Sequence, residues 1–242
     1  MKDHLNAIIF SLAAVLTAFL LAGAYTTKFK KQETIMVTGL AEYNFSSDLI
    51  VWQGSFSKRS SDIKSAYSAL KEDENNIRKY LKEQGVAEKE LVFSSVDINK
   101  DYESYRDSYG NYLNRFSGYN LTQHIRIESG DIDKIERVSR EVTQLIDLGV
   151  ELNSQEPQYY YTQMSELKIE LLAKASEDGK TRAQTIAINS GSKLGDLQKA
   201  NMGVFQITGQ NSNEDYSYGG TFNTRSRHKT ASITMRMEFA IK

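Results

Sequence analysis

The chain closes on the stretch whose reading decides the fold: Ala231-Ser232-Ile233-Thr234-Met235-Arg236-Met237-Glu238-Phe239-Ala240-Ile241. Apolar side chains at Ala231, Ile233, Met235, Met237, Phe239 and Ile241 alternate with Ser232, Thr234, Arg236 and Glu238. That period of two puts one face of a strand on a core and the other in water. A half-solvated strand belongs to an antiparallel sheet, because parallel strands are covered on both faces.

Working outward, shorter alternations predict strands at Thr34 to Gly39, Leu49 to Phe56 and Tyr119 to Glu128. In the last of these Leu121, Ile125 and Ile127 share one face and His124 falls on the polar one. Weaker extended segments run over Phe93 to Tyr102, Gln155 to Thr162 and Leu197 to Thr208. Three stretches switch to the helical period. Asp62 to Gln84 carries Ile63, Ala66, Tyr67, Leu70, Ile77 and Leu81 on one stripe, with Ser60 or Ser61 as N-cap and Gly85 where a left-handed residue ends a helix. Ile132 to Leu148 carries Ile135, Val138, Val142, Leu145 and Ile146 and ends at Gly149. Ser165 to Ser190 places Leu167, Leu171, Ala175, Gly179, Ala183 and Ala187 at steps of four, joined by Leu172 and Ile186. The small residues of that stripe allow close approach to a sheet or another helix. Antiparallel strands with about three helices packed on them make an α+β domain.

Ahead of this domain no charge occurs between His4 and Lys28, and Ala7 to Ala24 is unbroken apolar or small sequence. A bilayer span needs about 17 to 25 helical residues and a secretory h-region about 7 to 15, so the run sits at the border between anchor and signal peptide. Ala22-Gly23-Ala24 has the small-x-small form of a cleavage site, whereas the length of the run argues for retention. Lys28, Lys30 and Lys31 after the run would, taken literally, hold the C-terminal domain in the cytoplasm. A large polar domain after one N-terminal apolar segment reads instead as exported. We therefore divide the chain into residues 1–27, a signal peptide or N-terminal membrane anchor, and 28–242, one α+β domain or two intimate subdomains.

Composition excludes several functions. Of 242 residues, 30 are Lys or Arg and 31 Asp or Glu, so a formal net charge of -1 gives no basis for nucleic-acid binding. With no Cys there is no disulfide framework, thiolate metal site or Cys nucleophile. His124 and His228 lack metal-ligand spacing and a nucleophile elbow, and each reads as an exposed or hydrogen-bonded structural residue. Gly191-Ser192-Lys193-Leu194-Gly195 follows a helix rather than preceding one, so it reads as a cap and turn rather than a phosphate loop. Glu72, Asp73 and Glu74 read as a solvated helix face. No catalytic set, cofactor or metal is expected, and a hydrolase would have to be built on His124 or His228.

Two segments stand out by composition. Tyr102 to Tyr119 holds Tyr105, Tyr109 and Tyr112 among Ser, Asn, Asp and Arg, and Glu214 to Arg227 holds Tyr216, Tyr218, Gly219, Gly220 and Phe222. Tyrosine among Ser, Gly and Asn is the chemistry of adaptable contact surfaces. Tyr105, Tyr109, Tyr112, Tyr216 and Tyr218 are therefore the candidate partner-contact residues. The other reading is a pair of hairpin tips whose tyrosines cover their own strands.

Taken together, Ile35-Met36-Val37-Thr38-Gly39, Ser47-Asp48-Leu49-Ile50-Val51, Gly118-Tyr119, Ala173-Lys174-Ala175, Thr181-Arg182-Ala183 and Gly191-Ser192-Lys193-Leu194-Gly195 resemble the SIMPL-domain family of exported bacterial envelope proteins. Where that family often has Pro-Asp before its second strand, this chain has Ser47-Asp48. The resemblance spans roughly residues 34–241. It implies a location in the bacterial cell envelope, either periplasmic or anchored to the inner membrane. It also implies no catalytic residues, a link to envelope stress tolerance, and self-association into a homo-oligomer. The expected function is a non-enzymatic envelope protein that self-associates and presents its Tyr-rich loops to an envelope partner. The alternative is a periplasmic module binding a ligand or glycan, with the tyrosines as stacking platforms.

Overall fold

A computed structural model describes residues 2–28 and 33–242, with side chains at 10–23, 25 and 33–242. In chain order the elements are α1 (Lys2–Lys28), β1 (Thr34–Ser46), β2 (Leu49–Ser60), α2 (Ile63–Glu83), β3 (Leu91–Phe93), β4 (Asp97–Arg106), β5 (Tyr112–Ser129), α3 (Ile132–Glu141), β6 (Leu152–Ser154), β7 (Gln158–Tyr160), α4 (Met164–Asn189), β8 (Leu194–Met202), β9 (Gln206–Gly209) and β10 (His228–Ile241). The protein is α+β, and every registered strand pair is antiparallel. The chain forms two compact units, one of residues 41–173 and 204–233, the other of residues 1–40, 174–203 and 234–242.

In the first unit β5 lies between β2 and β3, β2 continues to β6 and β7, and β4 pairs with β5. The β2–β5 register sets Ile50, Trp52, Gly54, Phe56 and Lys58 opposite Ser129, Ile127, Ile125, Gln123 and Leu121. Alternation then buries Ile50, Trp52, Phe56, Leu121, Ile125 and Ile127 on one face, against Ala66, Leu70, Ile77 and Leu81 of α2 and Ile135 and Val138 of α3. Each such side chain contributes about 1.5–3 kcal/mol by leaving water. The indole N–H of Trp52 donates to Ser154 Oγ at 3.0 Å, so its one polar atom is satisfied inside the core.

Several local expectations change here. Asp62, rather than Ser60 or Ser61, caps α2 and accepts from the Ser65 N–H at 2.8 Å. Gly85 and Gly149 take the left-handed conformation expected of them, at φ 80° and 75°. Tyr67 and Ile146 fall on exposed rather than core-facing positions. The second helix stops being α at Glu141 and tightens into a 3₁₀ segment, Val142–Leu148, which keeps Leu145 inside while turning Ile146 out.

The largest correction concerns the α2 carboxylates, because Asp73 and Glu74 are buried rather than solvated. Asp73 lies 3.0 Å from the Lys58 ammonium, and Glu74 is held by Lys71 at 2.7 Å and Arg78 at 3.1 Å. Burial raises the Asp73 carboxyl above its usual range and Lys58 only partly opposes this. At Glu74 burial pushes upward too, but the hydrogen bonds from Lys71 and Arg78 outweigh it and hold the carboxyl low. Helix periodicity shows that these positions are polar. It places Lys71 and Arg78 beside Glu74, at i−3 and i+4, but does not show that β2 brings Lys58 against Asp73.

The second unit is a sheet in the order β1, β10, β8 beside the C-terminal part of α4. Ala175, Gly179, Ala183 and Ala187 are all buried there, as the small stripe predicts, whereas Ile186 is exposed. A Cβ on Gly39 would run into the Ala175 carbonyl and the backbone of Gly179, and one on Gly179 would run into the Met237 methyl. Glycine is what lets strand and helix touch backbone to backbone. Gly191, at φ 78°, ends α4, and the Ser192 N–H donates to the Ala187 carbonyl at 2.9 Å, the cap and turn expected of this stretch. On the outer face of the sheet Glu238 of β10 stands opposite Lys199 of β8.

Along α1 every described side chain from Phe10 to Gly23 is exposed. Among the described residues no helix is long and apolar enough to cross a membrane. The expected span from Ala7 to Ala24 lies partly outside them, at Ala7, Ile8, Ile9 and Ala24.

Candidate functional site

The Tyr102 to Tyr119 segment is not a loop but the distal half of a long hairpin. Its proximal half is ordinary sheet: β5 is paired on both sides, with β2 at residues 119–129 and with β4 at 118–122. At Asp101/Tyr102 the register shifts, Asp101 facing Gly118 and Tyr102 facing Phe116, which leaves Ser117 as the extra residue of a bulge. Gly118 sits at φ 150°, where a Cβ would approach the Ser60 carbonyl to 2.6 Å. Beyond the bulge β2 has ended, and residues 102–106 and 112–116 run on as a two-stranded ribbon paired only with itself.

A five-residue connection closes the ribbon. The Asp107 carboxylate accepts from the N–H groups of Tyr109 and Asn111, both at 2.9 Å, and from the Asn111 amide at 3.1 Å. The bonds from Asn111, backbone first, hold the Asp107 carboxyl below the ordinary range. Gly110, at φ 90°, completes the turn.

Opposed residues in an antiparallel pair share a face, so the register sorts the ribbon into two surfaces. Tyr102 with Phe116, Ser104 with Asn114 and Arg106 with Tyr112 form one; Glu103 with Arg115 and Tyr105 with Leu113 form the other. On the first, the rings of Tyr102 and Phe116 meet edge to face at 6.1 Å, Phe116 meets Tyr119 at 5.1 Å, and the Arg106 guanidinium lies 5.1 Å from the Tyr112 ring centre. On the second, Arg115 pairs with Glu103 at 3.0 Å and reaches over Tyr105 at 5.8 Å. Tyr105 and Tyr112 therefore point to opposite sides, and Tyr109, 90% exposed, stands at the tip.

The candidate residues Tyr216 and Tyr218 lie on a separate loop with a buried base. Gln206 accepts from the N–H groups of Ser217 and Thr221 at 3.2 and 2.9 Å and donates to the Ser217 carbonyl at 2.8 Å. One buried amide thus pins both arms of the loop. Glu214 bonds the Gly209 N–H at 2.9 Å and the Asn223 amide. Beneath them Lys229 is buried and donates to the Tyr159 carbonyl at 2.5 Å. Burial lowers its pKa to about 8, with Glu214 working in the other direction. Tyr216 and Tyr218 remain exposed at the crest. Among the described residues the ring contacts of the ribbon reach no farther than Tyr119 and include neither of them.

A family model matches residues 35–239, that of SIMPL, a protein of unknown function (DUF541). The chain belongs to the SIMPL family. No curated protein matches it. Within the SIMPL domain the two histidines are engaged locally: His124 lies 3.8 Å from Asp97, and His228 Nδ1 lies 2.9 Å from Ser46 Oγ. Among the described residues no three His, Asp or Glu side chains gather as a metal set.

Tyrosine content alone missed Leu113, Phe116, Arg106 and Arg115, which complete the ribbon surfaces of the SIMPL domain. The signal that would have found them is Asp107-Ser108-Tyr109-Gly110-Asn111, a turn composition that folds the flanking residues onto each other as paired strands.

Proposed function

We propose that this SIMPL protein is a non-enzymatic component of the bacterial envelope that self-associates and uses its aromatic ribbon as the contact element for an envelope partner. The observation that carries the reading is the ribbon of residues 102–106 and 112–116, which exposes aromatic and arginine side chains on both faces. A two-stranded hairpin is only marginally stable alone in water, so one that projects past its sheet gains most by lying against something else. Tyr and Arg are the side chains that dominate contact energies. Placement at the envelope, exported and held or delivered by α1, rests on the exposed apolar side chains of that helix. A role in stress tolerance belongs to the same reading.

Alanine at Tyr105, Tyr109 and Tyr112 together, and separately at Tyr216 and Tyr218, should weaken assembly or partner capture by the full chain in detergent. Unchanged mass and capture in both variants would remove the contact role.

A second reading, a glycan-binding module, is favoured by one feature away from those loops. A cleft of about 370 Å³ is lined by Tyr43, Asn44, Phe45, Ser46, Tyr161 and Gln210, combining aromatic rings with side-chain amides. Trp52 is fully buried and would not report on it. Calorimetric titration with envelope sugars, before and after Tyr161→Ala, separates the two readings.

A further inference from the structure

β1 is the outermost strand of its sheet, with β10 on its inner side. The Ile241 N–H bonds the Glu33 carbonyl and the Ser47 N–H bonds the Arg227 carbonyl, so odd-numbered residues of β1 turn their backbone groups toward β10. Even-numbered residues then turn theirs outward. At Leu40 that outward N–H is taken by Asp178 of α4 at 2.8 Å, which closes the edge. Between the start of the strand at Thr34 and this stop, no second strand among the described residues pairs with the edge of Thr34, Met36 and Thr38.

Natural edge strands are guarded by charge, proline, bulges or extreme shortness. The open stretch reads Thr34-Ile35-Met36-Val37-Thr38, uncharged, β-branched at four of its five positions, and nearly the same in both directions. Its midpoint is Met36. Antiparallel pairing of two copies about that midpoint sets Met36 opposite Met36, Thr34 opposite Thr38 and Ile35 opposite Val37. Like meets like at every position, and the backbone groups of residues 34, 36 and 38 on each side face their counterparts. Because the paired residue numbers sum to an even value, each pair lies on one face of the joined sheet, as a closed two-fold dimer requires. Beside the edge, α4 leaves an open groove of about 610 Å³ lined by Val37, Thr38, Thr181, Thr185, the half-exposed Ile186 and Arg182, whose charge is paired with Asp178 at 2.8 Å. It leaves that side of the edge open to the approach of the second copy's strand, whose own Ile35 and Val37 stay buried in its own sheet face.

We infer that a second copy of this chain pairs its β1 with β1 along Thr34–Thr38, joining the sheets of the two copies into one across a two-fold axis at Met36. The inference rests on the self-association proposed above and names its seam.

The full chain in detergent tests it, and the absence of native Cys makes a single introduced thiol unambiguous. Paired Cα atoms lie about 5.5 Å apart, inside the disulfide range of about 4.4–6.8 Å. Met36→Cys should therefore link to itself on mild oxidation. Thr34→Cys and Thr38→Cys, each roughly 14 Å from its own copy, should link when mixed and not alone. Thr38→Pro removes only an outward N–H and should raise the dimer dissociation constant at least tenfold, with the thermal midpoint of the monomer unchanged. An oligomeric chain whose Met36→Cys form does not link and whose mass ignores Thr38→Pro overturns the seam and leaves self-association standing. A chain that is monomeric at every concentration, and whose Met36→Cys form never links, overturns both and leaves that edge to a strand of another protein.

Discussion

The two halves of β5 are one strand under two conditions. From Tyr119 to Ser129 it is flanked on both sides and its alternate residues are buried; from Tyr112 to Ser117 it is exposed at every position. Apolar strand formers occur in both, Leu121, Ile125 and Ile127 in the first and Tyr112, Leu113 and Phe116 in the second. What differs is cover: β2 ends and α2 starts beside the bulge, and side chains that would be core in one half become surface in the other. Residues of the same type therefore hold the fold in the proximal half and are free for contact in the distal half.

The sharpest test of that contrast is Trp52→Ala against Tyr112→Ala. Trp52 is wholly buried opposite Ile127, and its removal should cost about 3–5 kcal/mol in urea unfolding. Tyr112 lies on the ribbon, and its removal should stay within about 0.5 kcal/mol. Comparable losses would mean that the ribbon is part of the core's cooperative unit.

Next in size is the buried base of the other tyrosine loop. The folded pKa of Lys229 is lowered from 10.5 to about 8. Between these values the unfolded chain still holds the proton that the folded chain has released. Stability should therefore rise as pH climbs from about 8 to 10.5 and lie flat below that window, where the cost of burying the charge is fully present. At about 1.36 kcal/mol per unit, wild type should gain on the order of 3 kcal/mol over Lys229→Met across this window. Parallel pH profiles for the two proteins would show that Lys229 is solvated. The Tyr159 phenol, raised to about 12 by burial and then by its hydrogen bond to Glu136, acts in the opposite sense only above pH 10 and cancels in the comparison.

Smaller again is the joint between the two halves. Gly118→Ala places a methyl against the Ser60 carbonyl in a backbone conformation that L-residues rarely adopt. It should cost about 1–3 kcal/mol, and amide exchange should show the loss at the Asp101–Gly118 pairing rather than at the turn. Uniform loosening along the hairpin would assign the bend to the whole ribbon instead of the bulge.

Which parts were legible from sequence follows the same divide. Elements that bury one face were readable: the alternation of β10 from Ile233 to Phe239, the step-of-four stripe of α4, and the left-handed Gly85 and Gly149 are where periodicity places them, whereas Ser232 and Ala240 are buried and Ile241 only half-buried, the last two beside register shifts at Phe239. Where pairing or cover comes from distant chain, periodicity had nothing to read. Phe93 to Tyr102 divides into β3 and β4, and Leu197 to Thr208 into β8 and β9, at points set by their partners. Asp73 is buried because distant β2 brings Lys58 against it, whereas the cations of Glu74, Lys71 and Arg78, stand on its own helix at i−3 and i+4, a spacing that was there to read. At the candidate site the tyrosines were visible as composition, but their division into two faces appears only once Tyr102 is set opposite Phe116.

The smallest stability effect belongs to the tip, where the contrast is purest. The Tyr109 backbone N–H is held by Asp107, but its ring reaches into solvent. Tyr109→Ala should leave unfolding within about 0.5 kcal/mol of wild type while reducing assembly or partner capture, because it deletes contact area without touching the turn. Acid should act on the turn and spare the ring: Asp107 titrates below its ordinary range, so its bonds persist above that range and are lost only as pH falls through the lowered folded value. Amide exchange at Asn111 should accelerate there before the β2–β5 amides respond. If capture by the wild-type ribbon weakens over the same interval, the partner reads the ordered turn that presents Tyr109; if capture persists after the turn has loosened, it reads the ribbon faces alone.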